Sequence, residues 1–460
     1  MPDPSRGRSL AALLVLPVIL TLVLSACTST SSVRSGQARP GSTTSSPVVT
    51  VPPAGSAEPE TPVQPGTSGQ AGTTAPTAIT EPPVSPIPTT SSSTAPAVIT
   101  PVLSSWPVNG ADDVSPIRAV LVRVQKGTLT KVTMTNPDGR AVRGAISKDK
   151  TAWTSTEPLG YGRKYSVTSI AVSATGVQAR SSTTFTTVSP TETIYPSFFP
   201  NPEMKTVGVG QPMVVIFDKA PADKVAAEKA LVVKTVPAVE GSWYWWDDRT
   251  LHYRPKVYWK AGTKITVNVN LYGVALGGGA YGETDRTLSI TVGRSKIATV
   301  DDATKQMQVF IDGKKVRTIP VSMGMDKKVT VGGKEISFVT PSGIYVGQEK
   351  YAVKQMSSAT YGLPVASSLG YDSRIPLAVR FSNEGIFVHA APWSVADQGV
   401  RNVSHGCLNI NPEAGRWFYD NFSYGDILTV TGTATKLAVT DGYGDWNMSW
   451  ADWKKGSALA

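Results

Sequence analysis

The sequence predicts a mainly β protein: two tandem immunoglobulin-like β-sandwiches, then a mostly β third domain with a short helix near its end. Three observations carry this. "KITVNVNL" places Ile265, Val267, Val269 and Leu271 on one face, and "TLSITVG" does the same with Leu288, Ile290 and Val292; such period-two alternation marks half-buried strands. Turn residues punctuate the strands, as in "KVTMTNPDGRAV", where Asn-Pro-Asp-Gly separates two strand-like runs. A faint repeat sets the domain size. "GRKYSV" at 162–167 recurs as "GTKITV" at 262–267, each behind a Thr-and-aromatic segment, "TAW" and "TLHY". One such unit of about 100 residues is the size of an immunoglobulin-like sandwich.

Taken in chain order, residues 1–26 predict an export signal. Arg6 and Arg8 precede an apolar run from Leu10 to Leu24, and Ser25 and Ala26 lead into Cys27. The run falls short of the 18 or more apolar residues of a spanning helix, and Pro17 interrupts it. "LSAC" resembles the lipobox of bacterial lipoproteins, which implies a lipid on Cys27. Residues 27–100 then form a linker of Ser, Thr, Pro, Ala, Gly and Val, too poor in large apolar groups to offset its ordering entropy. As a tether it would reach roughly 50 Å as a flexible coil and at most roughly 220 Å as polyproline II. The expected location is extracytoplasmic, anchored to the membrane by lipid and reaching the cell wall. Export excludes nucleic acid as a partner, and the net charge of +10 suits an anionic wall.

The sandwiches are expected at residues 101–189 and 190–294. Neither has the paired cysteines of antibody domains. "WYWWDD" at 243–248 predicts core and interdomain packing, with a sugar-stacking platform as the other reading. His252 should be structural. The third domain, residues 295–433, opens with "QMQVFIDGKKVRTIPVSMG", a hairpin turning at Asp312-Gly313 with Met307, Val309 and Ile311 inward. "TPSGIY" and "MSSATYG" read as loops, and "GIFVHAAPW" as a strand ending on His389. "NPEAGRWFYDNF" predicts a helix, with Asn411 as N-cap, Pro412 at its first position, and Ala414, Trp417, Phe418 and Phe422 on one face. Residues 434–460 are a tail in which Trp446, Trp450 and Trp453 have helical spacing and should pack against a neighbouring domain.

The chemistry lies in "SHGCLNINP", residues 404–412. The chain has two cysteines and three histidines. With Cys27 acylated, Cys407 is an odd thiol in an exported protein, where a disulfide is the ordinary use; intermolecular pairing, a reactive group and inert packing are the readings it allows. No CxxC pair supports a zinc ribbon. A thiol of ordinary pKa near 8.5 is only slightly ionised at neutral pH and needs a base. His405 lies two residues before it in the same loop, whereas His389 arrives from a separate strand and is the better placed. Gly406 lets a substrate approach the backbone, and its amide together with that of Cys407 is expected to form an oxyanion hole.

"HGCLNI", "FVHAAPWS" upstream of it and "SHGC" at the nucleophile resemble the L,D-transpeptidases with a YkuD-type catalytic domain; "PVSMG", "TPSGIY" and "TYG" fall in that family's order, and "GDWNMSWADW" is similar to the tail of its actinobacterial lipoprotein members. The likeness covers roughly residues 101–460. It implies that Cys407 attacks the bond between meso-diaminopimelate and D-alanine of a donor stem peptide, and that His389 takes the thiol proton and later protonates the leaving amine. An acceptor stem then resolves the thioester as a 3→3 crosslink. No metal or other cofactor is implied, and carbapenem acylation would fall on Cys407. Tyr361, Met356 and Asn409 match cleft positions and either bind substrate or hold the fold; His405 and Ser404 shape the nucleophile loop beside the substrate. Relatives commonly carry serine after the strand-end histidine, and here it is Ala390. Either an orienting hydroxyl is missing or a main-chain carbonyl orients the imidazole.

Three rival functions use the same residues differently. An L,D-carboxypeptidase would replace the acceptor amine by water. A zinc hydrolase would ligate the metal through His389, His405 and Cys407, though it lacks a neighbouring carboxylate base. A non-enzymatic wall-binding protein would leave Cys407 inert.

Overall fold

The computed structural model describes residues 97–460. The signal, the lipidated Cys27 and nearly all of the linker therefore lie outside the described residues.

Two four-stranded sheets make the first sandwich. One runs in the order Val102–Trp106, Leu121–Gln125, Ala152–Ser155, Gly144–Ile146; the other in the order Ala111–Val114, Gln178–Thr187, Lys164–Val172, Thr128–Thr135. The second sandwich repeats this arrangement with Pro196–Phe199, Met213–Phe217, Thr250–Pro255 and Gly241–Trp245 facing Thr206–Val207, Arg286–Val292, Lys264–Val269 and Leu231–Val236. The repeated segments of the sequence occupy matching places in the two sheets. "TAW" and "TLHY" lie on the third strand of one sheet, and "GRKYSV" and "GTKITV" lead into the third strand of the other. Ile265, Val267, Leu288 and Ile290 are buried, as their alternation requires.

Behind the second sandwich the chain builds a five-stranded sheet in the order Lys314–Pro320, Gln306–Ile311, Lys296–Asp301, Ile427–Thr431, Gly343–Val346. Asp312 and Gly313 close its first hairpin with positive φ at both positions, which suits a two-residue turn matched to strand twist. Beside it lies a four-stranded sheet: Lys350–Ser357, Asp372–Arg380, Phe387–Ala390, Leu408–Ile410. "GIY" is thus on a strand rather than in a loop, and so is Met356, because each pairs across a ladder that local composition does not announce. A helix spans Pro412–Asn421, and Asn411 Oδ1 accepts from Ala414 N as its cap. Gly415 of this helix meets the strand at Ala390, where an added Cβ would lie 2.6 Å from the Ala390 Cβ.

The second sandwich shares its core and main-chain hydrogen bonds with the third domain. Val346 and Ile427 of the third domain belong to its core, and Gly208 N and Gly210 N donate to Tyr424 O and Gly425 O, both at 2.8 Å. The tail seals the joint. Its tryptophans fall on a short 3-10 turn, Gly444–Asn447, and a helix, Trp450–Lys454, so the continuous helix their spacing suggests is broken at Met448. Arg254 of the sandwich lies under all three rings, with its guanidinium carbon 4.4 Å from the Trp453 centroid. His252 is buried and bonded through Nδ1 to Asp445 at 2.7 Å, the structural place expected of it.

Candidate active site

His389 and Cys407 reach one cavity of about 460 Å³ from neighbouring parallel strands. Val388 pairs with Leu408 and His389 with Asn409, so Cys407 is the residue immediately before the paired segment. It precedes this short strand, and the helix begins only at Pro412. The thiol is half-buried and Sγ donates to Gly385 O at 3.5 Å. Burial pushes its pKa up to about 11, opposed by a main-chain hydrogen bond from Phe387.

His389 is 4% exposed, and burial lowers its pKa to about 4, opposed by its bond to the Ala390 main chain. Nδ1 lies 3.1 Å from Ala390 O. A carbonyl can only accept, so Nδ1 carries the proton and Nε2 keeps its lone pair. Thiol and imidazole are both neutral at rest. Successive strand residues face opposite ways, which turns the Ala390 Cβ towards Gly415 while His389 faces the cavity with Trp393 against its ring, 5.9 Å between centroids.

The nucleophile loop is held from within. Ser404 Oγ donates to Cys407 O at 2.6 Å and accepts from Gly406 N at 3.1 Å. The expected pair of oxyanion amides is therefore reduced to one: the Gly406 N–H is already bonded, and only that of Cys407 is available. Ser404 lines the cavity, but its hydroxyl is committed to the loop. His405 also lines the cavity, wedged between Phe338 at 4.7 Å and Tyr371 at 5.0 Å; burial lowers its pKa. Asn409 donates from Nδ2 to Ser394 Oγ at 3.0 Å and is 3% exposed. It also lines the cavity, so it both pins the loop that carries Trp393 and borders the space beside the thiol.

Met356 lines the cavity from the strand Lys350–Ser357. Tyr361 does not line it. It packs with Phe338 and Leu363 behind Tyr371, 6.3 Å between the two tyrosine rings. Tyr371 takes the lining position instead, its pKa raised by burial and then by the neighbouring Cys407. The pKa of Tyr361 is likewise raised by burial and by Cys407, so both tyrosines sit near the thiol; Tyr371 carries no sequence motif because it arrives just before a strand. Trp393, by contrast, follows His389 by four residues in "FVHAAPWS", so its place beside the imidazole has a local signal. Arg374 is the one formally charged side chain of the lining, and it makes no ion pair or hydrogen bond among the described residues. No three His, Cys, Asp or Glu side chains gather to hold a metal among the described residues.

Known proteins match along the same stretch. The description "L,D-transpeptidase catalytic domain" matches residues 295–431 and "Bacterial Ig domain" residues 111–275. The chain is 42% identical over 364 residues to L,D-transpeptidase 2 of Mycobacterium tuberculosis, covering 79% of this chain and 86% of that one. It is 37% identical to L,D-transpeptidase 5 of the same species, covering 78% and 77%. Among solved structures, an L,D-transpeptidase from Mycobacterium smegmatis is 30% identical with a TM-score of 0.42, covering 52% of this chain and 99% of that one. L,D-transpeptidase 3 from Mycobacterium tuberculosis, in complex with a faropenem-derived adduct, is 27% identical with a TM-score of 0.42, covering 51% and 97%.

Proposed function

This chain belongs to the L,D-transpeptidase family, enzymes of peptidoglycan, and we propose that it crosslinks stem peptides through a thioester on Cys407. The observation that carries this reading is the tautomer of His389: Nδ1–H is held by Ala390 O, which leaves Nε2 its lone pair on a ring that lines the same cavity as Cys407. As the sulfur attacks the carbonyl carbon of diaminopimelate, its proton passes to Nε2 and the carbonyl π pair moves to oxygen. Collapse of this intermediate reforms the carbonyl and breaks the C–N bond. The imidazolium returns its proton to the departing D-alanine amine. A second stem's diaminopimelate amine then attacks the thioester, losing its proton to His389; as the C–S bond breaks, the imidazolium gives that proton to the departing sulfur and the neutral pair is restored. Raised thiol pKa and lowered imidazole pKa favour proton transfer during attack over a preformed ion pair.

Arg374 suits the free carboxylates that stem peptides carry, and the cavity's apolar wall of Met356, Ile375 and Trp393 suits the rest of the chain. A β-lactam would acylate Cys407 by the same route, its ring nitrogen as leaving group. The Cys27 lipid and the linker would hold the enzyme outside the membrane at the wall. Mass analysis of products from a purified disaccharide-tetrapeptide tests the reading. A crosslinked dimer with release of D-alanine is expected. Tripeptide alone would establish a carboxypeptidase, and unchanged substrate would sink the reading.

A further inference from the structure

The Gly406–Cys407 peptide is held by a third chain segment that the chemistry above does not use. Thr340, from "TPSG", is wholly buried. Its Oγ1 donates to Gly406 O at 2.7 Å and accepts from Gly324 N at 2.9 Å. Three segments meet here closely enough that a Cβ on Gly324 would lie 1.8 Å from Phe338 O, 2.8 Å from Thr340 N and 2.9 Å from Gly406 Cα. Gly406 itself has φ +129°, a conformation that side chains with a Cβ rarely adopt. The peptide plane at the nucleophile is thus set by something other than its local preference.

Across a planar trans peptide the C=O and the following N–H point in opposite directions. Anchoring Gly406 O into the interior at Thr340 therefore turns the Cys407 N–H the other way, out from the Gly324 side. That N–H makes no hydrogen bond among the described residues, and the Gly406 N–H is already taken by Ser404. We propose that Thr340 is a positioning residue for acyl transfer, whose hydroxyl aims the Cys407 N–H at the oxygen that becomes negative when sulfur attacks a carbonyl. The inference rests on the reading of Cys407 as the acylated nucleophile.

Two reactions of one thiol separate this role from simple support of the loop. Acylation by imipenem passes through an oxyanion; alkylation by iodoacetamide displaces iodide at a saturated carbon and forms none. Both rates are to be measured by intact-protein mass on the wild type, Thr340→Val, Thr340→Ala and Thr340→Ser, with thermal unfolding as the check on folding. Deleting an oxyanion donor costs about 100-fold or more, and misaiming one less. Thr340→Val and Thr340→Ala are expected to slow acylation at least about tenfold while alkylation stays within about twofold, and Thr340→Ser to keep acylation within about threefold. An equal fall in both reactions, or no fall in acylation, overturns the proposal. A Thr340→Ser enzyme as slow as Thr340→Ala overturns it too, and does so even where the valine variant does not fold. A wild-type Cys407 that imipenem leaves unmodified overturns instead the reading beneath it.

Discussion

His389 Nδ1 and the carbonyl oxygen of Ala390 lie 3.1 Å apart: the residue that follows the imidazole orients it through the main chain. The side chain at 390 takes no part, because it is 2% exposed and turned towards Gly415 of the helix. Ala390→Ser is therefore expected to change the rate of Cys407 acylation by less than about tenfold, equivalent to 1.4 kcal/mol. The added hydroxyl would enter a tight contact, so a small loss of stability is the more visible effect. A gain of a hundredfold in stopped-flow acylation would mean that the serine hydroxyl does the orienting.

Cys407→Ala should abolish both crosslinking and β-lactam adducts. His389→Ala should reduce acylation by about 100-fold or more, in the range of general-base contributions. His405→Ala should do less. Its ring is wedged between Phe338 and Tyr371, where removing it leaves a hole beside the loop but keeps the base. Rates measured by mass spectrometry at one pH decide the order, and a larger loss at His405 would reverse the assignment.

The pH profile follows from the two shifts. Burial lowers His389 to about 4 and raises Cys407 to about 11. Between those values the imidazole is neutral and able to accept a proton, and the thiol is intact. Acylation should therefore stay nearly flat from about pH 5.5 to 9 and fall below about pH 5 as His389 takes up a proton and loses its basic nitrogen. An ion-pair enzyme with ordinary histidine would instead show an inflection near 6.5. Seeing that inflection in the free enzyme would contradict the neutral resting pair.

Trp453 is completely buried, donates from Nε1 to Ser242 O at 2.9 Å and lies over Arg254. Trp453→Ala should cost about 3–5 kcal/mol, the range for deleting a large buried ring. Denaturant unfolding should show the loss, while acylation of the folded fraction stays near normal, since the tail contributes no residue to the cavity lining. A fully stable variant would mean that the tail packs otherwise.

Cys27→Ser should release the protein from the membrane fraction without altering acylation of Cys407, because anchor and cavity share no residues. Fractionation followed by labelling with a fluorescent β-lactam reads both effects at once. A variant retained on the membrane would remove the lipid anchor from the account.

The features legible in the chain are local ones. Alternation placed Ile265, Val267, Met307 and Val309 in cores because a strand's period of two is written residue by residue. Asn411-Pro412 announced the helix because a cap is a short-range hydrogen bond, and Cys407 with His389 was legible because the motif is contiguous or nearly so. Tertiary structure alone decided which groups converge around them. Tyr371 lines the cavity beside Cys407 because the strand Asp372–Arg380, which it leads into, pairs with Phe387–Ala390 in one register, across a separation that no local pattern encodes. The Gly406 amide is taken by Ser404 within its own loop, whereas the Gly406 carbonyl goes to Thr340 because distant segments close on Gly324. Hydrogen-bond partners at such a crossing depend on ångström-scale placement of buried backbone, which packing supplies and composition does not.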